Sequence, residues 1–185
     1  MTRAVALLAL LLTSCASPQP AFYTLAAIPG TPGTARVRAI ELRRVGLAGY
    51  LDRPEIVRES NDYRVRFQTT ERWAEPLGTL IERVFTENLV QRLPGTSVYG
   101  ESGAISTRPD LVIEVDILRL DPEAGQAVLL AQIAIRTDGR KDQTTARAEV
   151  VRLAAPAGST TRDLAAAESA LLGRLADAVA ARLPG

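Results

Sequence analysis

Cys15 is the only cysteine in a 185-residue chain that contains no histidine. The missing histidine excludes Ser-His-Asp and Cys-His nucleophilic catalysis, histidine general bases, the usual zinc sites and haem held by histidine. No Gly-x-Gly-x-x-Gly and no Gly-Lys-Ser/Thr loop is present to cradle phosphates. What remains is carboxylate chemistry. Glu114 and Asp116 stand two apart in an alternating stretch, which puts both on one face of a strand, but a solvated strand face has the same pattern. The chain therefore reads as non-enzymatic, with no catalytic residue, cofactor or metal expected.

Cys15 has a different use. Arg3 supplies a short positive region, and residues 4–12 form an uninterrupted apolar run too short to span a bilayer as a permanent helix. The run ends in Leu12-Thr13-Ser14-Cys15, which resembles the bacterial lipobox. A large aliphatic residue and two small ones leave the thiol open to acylation, and cleavage then makes Cys15 the mature N-terminus. One acyl chain holds a protein only marginally, at about 0.8 kcal/mol per buried methylene, whereas the three expected on a lipobox cysteine anchor it durably. Ala16 and Ser17 follow, without the aspartate of an inner-membrane retention signal, so the expected location is the outer membrane, periplasmic face. With the thiol committed to lipid, no internal disulfide can form, and packing must hold the fold.

The whole chain carries 22 basic and 21 acidic residues, and a balanced body of this kind has no sequence-blind attraction to nucleic acid. The expected organisation is a signal peptide over residues 1–14, a lipidated N-terminus and tether over 15–34, and one domain over 35–185. The tether is rich in proline, glycine and small residues and would reach roughly 60 Å if extended. Within it, Phe22-Tyr23-Thr24-Leu25 fits either a first edge strand or a segment that docks on the domain.

The elements that must carry any site follow from periodicity. Residues 37–45 form a half-buried strand, and 55–59 and 63–67 a hairpin turning at Ser60-Asn61-Asp62, with Tyr63, Val65 and Phe67 inward and Arg64 and Arg66 outward. From Leu77 a helix repeats apolar residues to Leu89, with Glu82, Arg83, Glu87 and Arg92 facing away, until Pro94-Gly95 stops it. The stretch from Leu111 alternates until its phase shifts at Leu118, which predicts a bulge there. Residues 128–135 are apolar nearly throughout, as in a central strand or one covered by a partner copy; Asp138-Gly139 turns the chain into a third strand over 144–153. Thr160-x-x-Asp163 approximates a capping box before a final helix with Leu164, Leu171, Leu175, Val179 and Leu183 on one stripe. The expected fold is α+β: a single mainly antiparallel sheet with two helices packed on one face.

Two runs remain that periodicity does not explain: Tyr50-Leu51-Asp52-Arg53-Pro54-x-Ile56-Val57 and Arg72-Trp73-Ala74-Glu75-Pro76-Leu77, followed by a helix ending Asn88-Leu89-x-x-x-Leu93-Pro94. In this order behind a lipobox they resemble the ABC-type transport auxiliary lipoproteins, the PqiC-like family, over most of the mature chain. The resemblance implies an outer-membrane lipoprotein that serves envelope integrity by working with a mammalian-cell-entry (MCE) domain protein, a permease and an ATPase to move lipid between membranes. The ATP hydrolysis would belong to other subunits. Tyr50, Asp52, Arg53, Pro54 and Trp73 are then candidate partner contacts, because Tyr, Trp and Arg are the residue types that anchor interfaces. They have plain structural readings too: an Asp52–Arg53 surface pair, a proline setting the entry to an edge strand, and Trp73 as a core anchor at a strand-to-helix corner. Docking by strand addition and assembly as a homo-oligomeric ring are both open. A second functional class is an autonomous lipid-binding lipoprotein, with acyl chains held between sheet and helices.

Overall fold

The longest strands, Leu111–Glu123 and Gln126–Thr137, form a hairpin that the rest of the computed structural model builds upon. The structure describes residues 19–105, 107–137 and 148–184. Before the hairpin come β1 (Ala21–Tyr23), β2 (Ala39–Leu42), β3 (Gly46–Leu47), β4 (Glu55–Asn61), β5 (Arg64–Trp73), α1 (Leu77–Arg92) and β6 (Ser97–Gly100). The hairpin strands are β7 and β8, and β9 (Glu149–Pro156) and α2 (Thr161–Ala180) follow.

These strands make two sheets where one was expected. The larger has the order β6-β2-β7-β8-β9, with β3 continuing β2 along the edge of β7; the smaller has the order β1-β5-β4. β6, β2, β3 and β7 pair in parallel, while β7, β8 and β9 form the antiparallel meander. The sheets are therefore mixed. The sequence pattern could not separate them, because alternation reports which face a residue takes and not which strand lies beside it.

Local chemistry explains the turns. β7 and β8 meet at Ala124 (φ 48) and Gly125 (φ 78), a two-residue turn with both φ positive, as the twist of a hairpin requires. The register of β7 against β8 slips between Ile117 and Arg119, so the bulge expected at Leu118 is present. Asp62 (φ 44) and Tyr63 (φ 61) make the equivalent turn between β4 and β5, one step later than expected. A tyrosine at this φ costs about 1–2 kcal/mol relative to glycine. The turn expected at Asp138-Gly139 lies outside the described residues.

Both helices pack on the larger sheet and against each other. Ile113, Ile117, Leu129 and Ala131 of the sheet and Leu80, Phe85, Leu171, Leu172 and Leu175 of the helices are almost wholly buried in one core. The capping box at α2 is formed: the Thr160 side chain accepts from the Asp163 amide while Asp163 reaches back to the Thr160 amide. In α1, Pro76 is the N-cap and provides no side-chain bond. Glu82 and Arg92, expected to face away, are both buried.

The segment expected to be a tether is part of the domain from Ala21 onward. β1 pairs in parallel with β5, and Leu25 is 2% exposed. The Ala26 amide then donates to Ser169 Oγ on α2 at 3.1 Å, and the Ile28 amide to Asn88 Oδ1 on α1 at 2.8 Å. Arg92 Nη1 donates to the Ile28 carbonyl at 3.1 Å while Arg92 Nε pairs with Asp177 on α2, and the Gly33 amide donates back to the Arg92 carbonyl at 2.6 Å. Residues 25–33 thus form a strap across both helices. Gly173 inside α2 admits it, since a Cβ there would stand 3.1 Å from Ile28 Cβ.

Candidate functional site

Cys15 and the segment 1–14 expected to be a signal peptide lie outside the described residues, so the site begins with the loop that follows β3. The Ala48 amide donates to the Ile117 carbonyl at 2.9 Å, and Leu51 and Arg53 turn the chain by donating to the Ala48 and Leu51 carbonyls, each at 2.8 Å. Two side chains pin this turn from within. Leu51 is 2% exposed, and the Tyr50 hydroxyl donates to Asp121 Oδ2 at 2.6 Å. Burial, then the bond to Asp121, pushes the Tyr50 hydroxyl far above its ordinary pKa, so it remains a donor at any relevant pH. Arg119 Nε holds the other Asp121 oxygen at 2.7 Å.

The next three residues point outward. Asp52, Arg53 and Pro54 are exposed. Arg53 does not pair with Asp52; its Nε lies 3.3 Å from Glu55, and its guanidinium sits 4.1 Å from the centre of the Phe67 ring, a cation–π contact. The Pro54 carbonyl accepts from the Trp73 amide at 2.9 Å, which joins the two sequence runs in space. Trp73 itself is 5% exposed and belongs to the core. Of the five candidate contacts, Asp52, Arg53 and Pro54 form one outward ridge, while Tyr50 and Trp73 hold it from behind.

Beside the ridge is an open cavity of about 520 Å³, lined by Asp52, Arg44, Glu82, Ser102 and the first turn of α1. Glu82 is engaged there by the Ser102 amide and hydroxyl. The other carboxylate pair makes no comparable site: Arg136 Nη2 holds Glu114 at 2.6 Å, and Asp116 packs against Gly46.

The last run, Asn88 to Pro94, contributes to the strap and not to the ridge. Asn88 is fully buried and accepts from Ile28. Arg92 donates to the Asn88 carbonyl at 3.1 Å. Sequence reasoning placed Arg92 outside because its spacing puts it at the margin of the apolar stripe. The available signal was Asn88, a short polar side chain on the inward face of a helix.

A family model described as the ABC-type transport auxiliary lipoprotein component matches residues 23–180. The chain belongs to that family. It is a family of transport components rather than of enzymes, and its members are lipoproteins held in the cell envelope. Among solved structures, a crystal structure of an uncharacterized protein is similar with a TM-score of 0.73 and 15% identity, covering 89% of this chain and 98% of the other. A Xanthomonas campestris protein of family DUF330 is similar with a TM-score of 0.67 and 17% identity, covering 88% and 93%. These likenesses establish the fold. No curated protein matches the sequence. Among the described residues no helix is long and apolar enough to cross a membrane.

Proposed function

We propose that this auxiliary lipoprotein is acylated at Cys15, faces the periplasm from the outer membrane, and ties the periplasmic MCE component of an ABC lipid transporter to that membrane. The observation that carries the reading is the match of 23–180 to the auxiliary family behind a lipobox. The partner contact falls on Asp52, Arg53 and Pro54, because Tyr50, Leu51 and Trp73 hold that ridge in place while leaving its three side chains open. A fixed ridge suits binding, since little side-chain freedom is lost when a partner docks. The core argues against the autonomous lipid binder: Leu129 and Ala131 of the sheet meet Leu171, Leu172 and Leu175 with all five at 0% exposure, which leaves no room there for an acyl chain.

The test is crosslinking and affinity capture from membranes, comparing the wild type with Asp52→Ala/Arg53→Ala and Cys15→Ala. The wild type should recover an MCE-domain protein, and the double variant about tenfold less at equal expression, a loss of about 1.4 kcal/mol. Cys15→Ala should appear in the soluble periplasmic fraction. Recovery of no MCE protein by the acylated wild type would overturn the reading.

A further inference from the structure

The β4–β5 hairpin outruns the domain. Val65 is 37% exposed and Tyr63 at the tip is fully exposed, although both continue the alternation that puts Phe67, half-buried, and Trp73 toward the core. The tyrosine is also held at φ 61 by the two-residue turn, at a position where glycine is the ordinary residue. An aromatic ring carried in the open at the end of a hairpin is placed to meet a surface outside the fold.

The chain indicates what that is. β1 runs parallel to β5 with Ala21 beside Glu71 and Tyr23 beside Trp73, so the residues before Ala21 leave toward the Arg64 end of β5, which is the hairpin tip. Five residues lie between Cys15 and Ala21, and the six steps can span at most about 20 Å. Six steps along β5, from Glu71 back to Val65, cover about the same distance. A chain extended in that direction is long enough to bring Cys15 level with the tip. Around the tip are Arg64, Asp62 and Arg66, the last paired with Glu59; a phenol and guanidinium groups on an apolar stem are what the headgroup layer of a bilayer accepts.

We propose that the tip of the β4–β5 hairpin, led by Tyr63 and Val65, sits in the headgroup layer of the membrane that holds Cys15. This rests on acylation of Cys15. The hairpin is then a second point of contact that fixes how the domain stands on the bilayer.

The test uses the full-length protein, purified with its acyl chains and reconstituted in phosphatidylethanolamine/phosphatidylglycerol vesicles containing brominated phospholipid. Tyr63→Trp is compared with Val90→Trp, an exposed position on α1, over the constant background of buried Trp73. Brominated lipid should quench the tryptophan at 63 at least threefold more strongly than that at 90. Equal quenching in acylated protein overturns the placement while leaving the anchor intact, as does emission from 63 that is shielded from water yet not quenched by brominated lipid, the mark of a protein partner or second copy on the tip. An intact mass without acyl chains on Cys15 overturns the anchor and the placement together. Tyr63→Gly should raise the melting temperature in detergent by a few degrees; a fall would mean that the tyrosine serves the fold, and would overturn the proposal.

Discussion

Glu168 is the residue at which the fold departs furthest from ordinary solution chemistry. It lies on the inward stripe of α2, 2% exposed, and its Oε2 has no hydrogen-bond partner. Burial, and then the negative charge of Asp121, push its carboxyl well above the usual range. Asp121 is itself held by Arg119 and the Tyr50 hydroxyl, so neither group is free to neutralise Glu168. The sign of the pH effect follows. Between the ordinary carboxyl pKa and the raised folded value, the folded chain keeps a proton that the unfolded chain has released, so stability falls as pH rises through that window, by up to about 1.4 kcal/mol per unit. Glu168→Gln should remove that slope above about pH 4.5 and stabilise the protein at pH 7; denaturant unfolding of both proteins at pH 5, 6, 7 and 8 reads it. The sequence did carry a signal for Glu168, which stands four residues after Leu164 and three before Leu171 and so on the apolar spacing itself; what it could not show is that the neighbouring sheet leaves the carboxyl without a partner.

Among the elements, the strap over 25–33 is held by a few directional bonds and not by regular secondary structure. Arg92 is 2% exposed and joins Asp177, the Ile28 carbonyl and the Asn88 carbonyl, so its removal strands several polar groups at once. Arg92→Ala is expected to cost about 2–3 kcal/mol, less than a fully buried pair would because Asp177 is half exposed. Asn88→Ala should cost about 1–2 kcal/mol through the orphaned Ile28 amide. Limited proteolysis should cut both variants within residues 25–33, where the wild type resists. The elements with their own local signals were legible in the sequence: the capping box of α2, the stripes of both helices, the bulge at Leu118 and the β7–β8–β9 meander. The strap, the parallel pairings of β2 and β6, and the division into two sheets were not. Each depends on segments dozens of residues apart, and proline and glycine in the strap signal only the loss of helix and strand, not what the chain then rests on.

For the molecule as a whole, the strap changes the distance scale. With residues 21–33 docked, Cys15 can reach at most about 20 Å from the start of β1, against the roughly 60 Å of an extended tether. Inserting twenty Gly/Ser residues after Ser17 should leave acylation and thermal stability unchanged, while the brominated-lipid quenching of Tyr63→Trp falls by at least half. The ridge of Asp52, Arg53 and Pro54 was legible as a motif, but which of its side chains face outward was not, since that depends on where Asp121 and the end of β5 lie. The strap also sets an order of events in folding. Ser169 and Asp177, which seat it, belong to the last helix, and the Pro184 carbonyl accepts from the Arg36 amide. Residues 25–33 cannot find their seat until α2 is in place, so a chain that emerges N-terminus first completes this part of the domain only once its C-terminal helix is present.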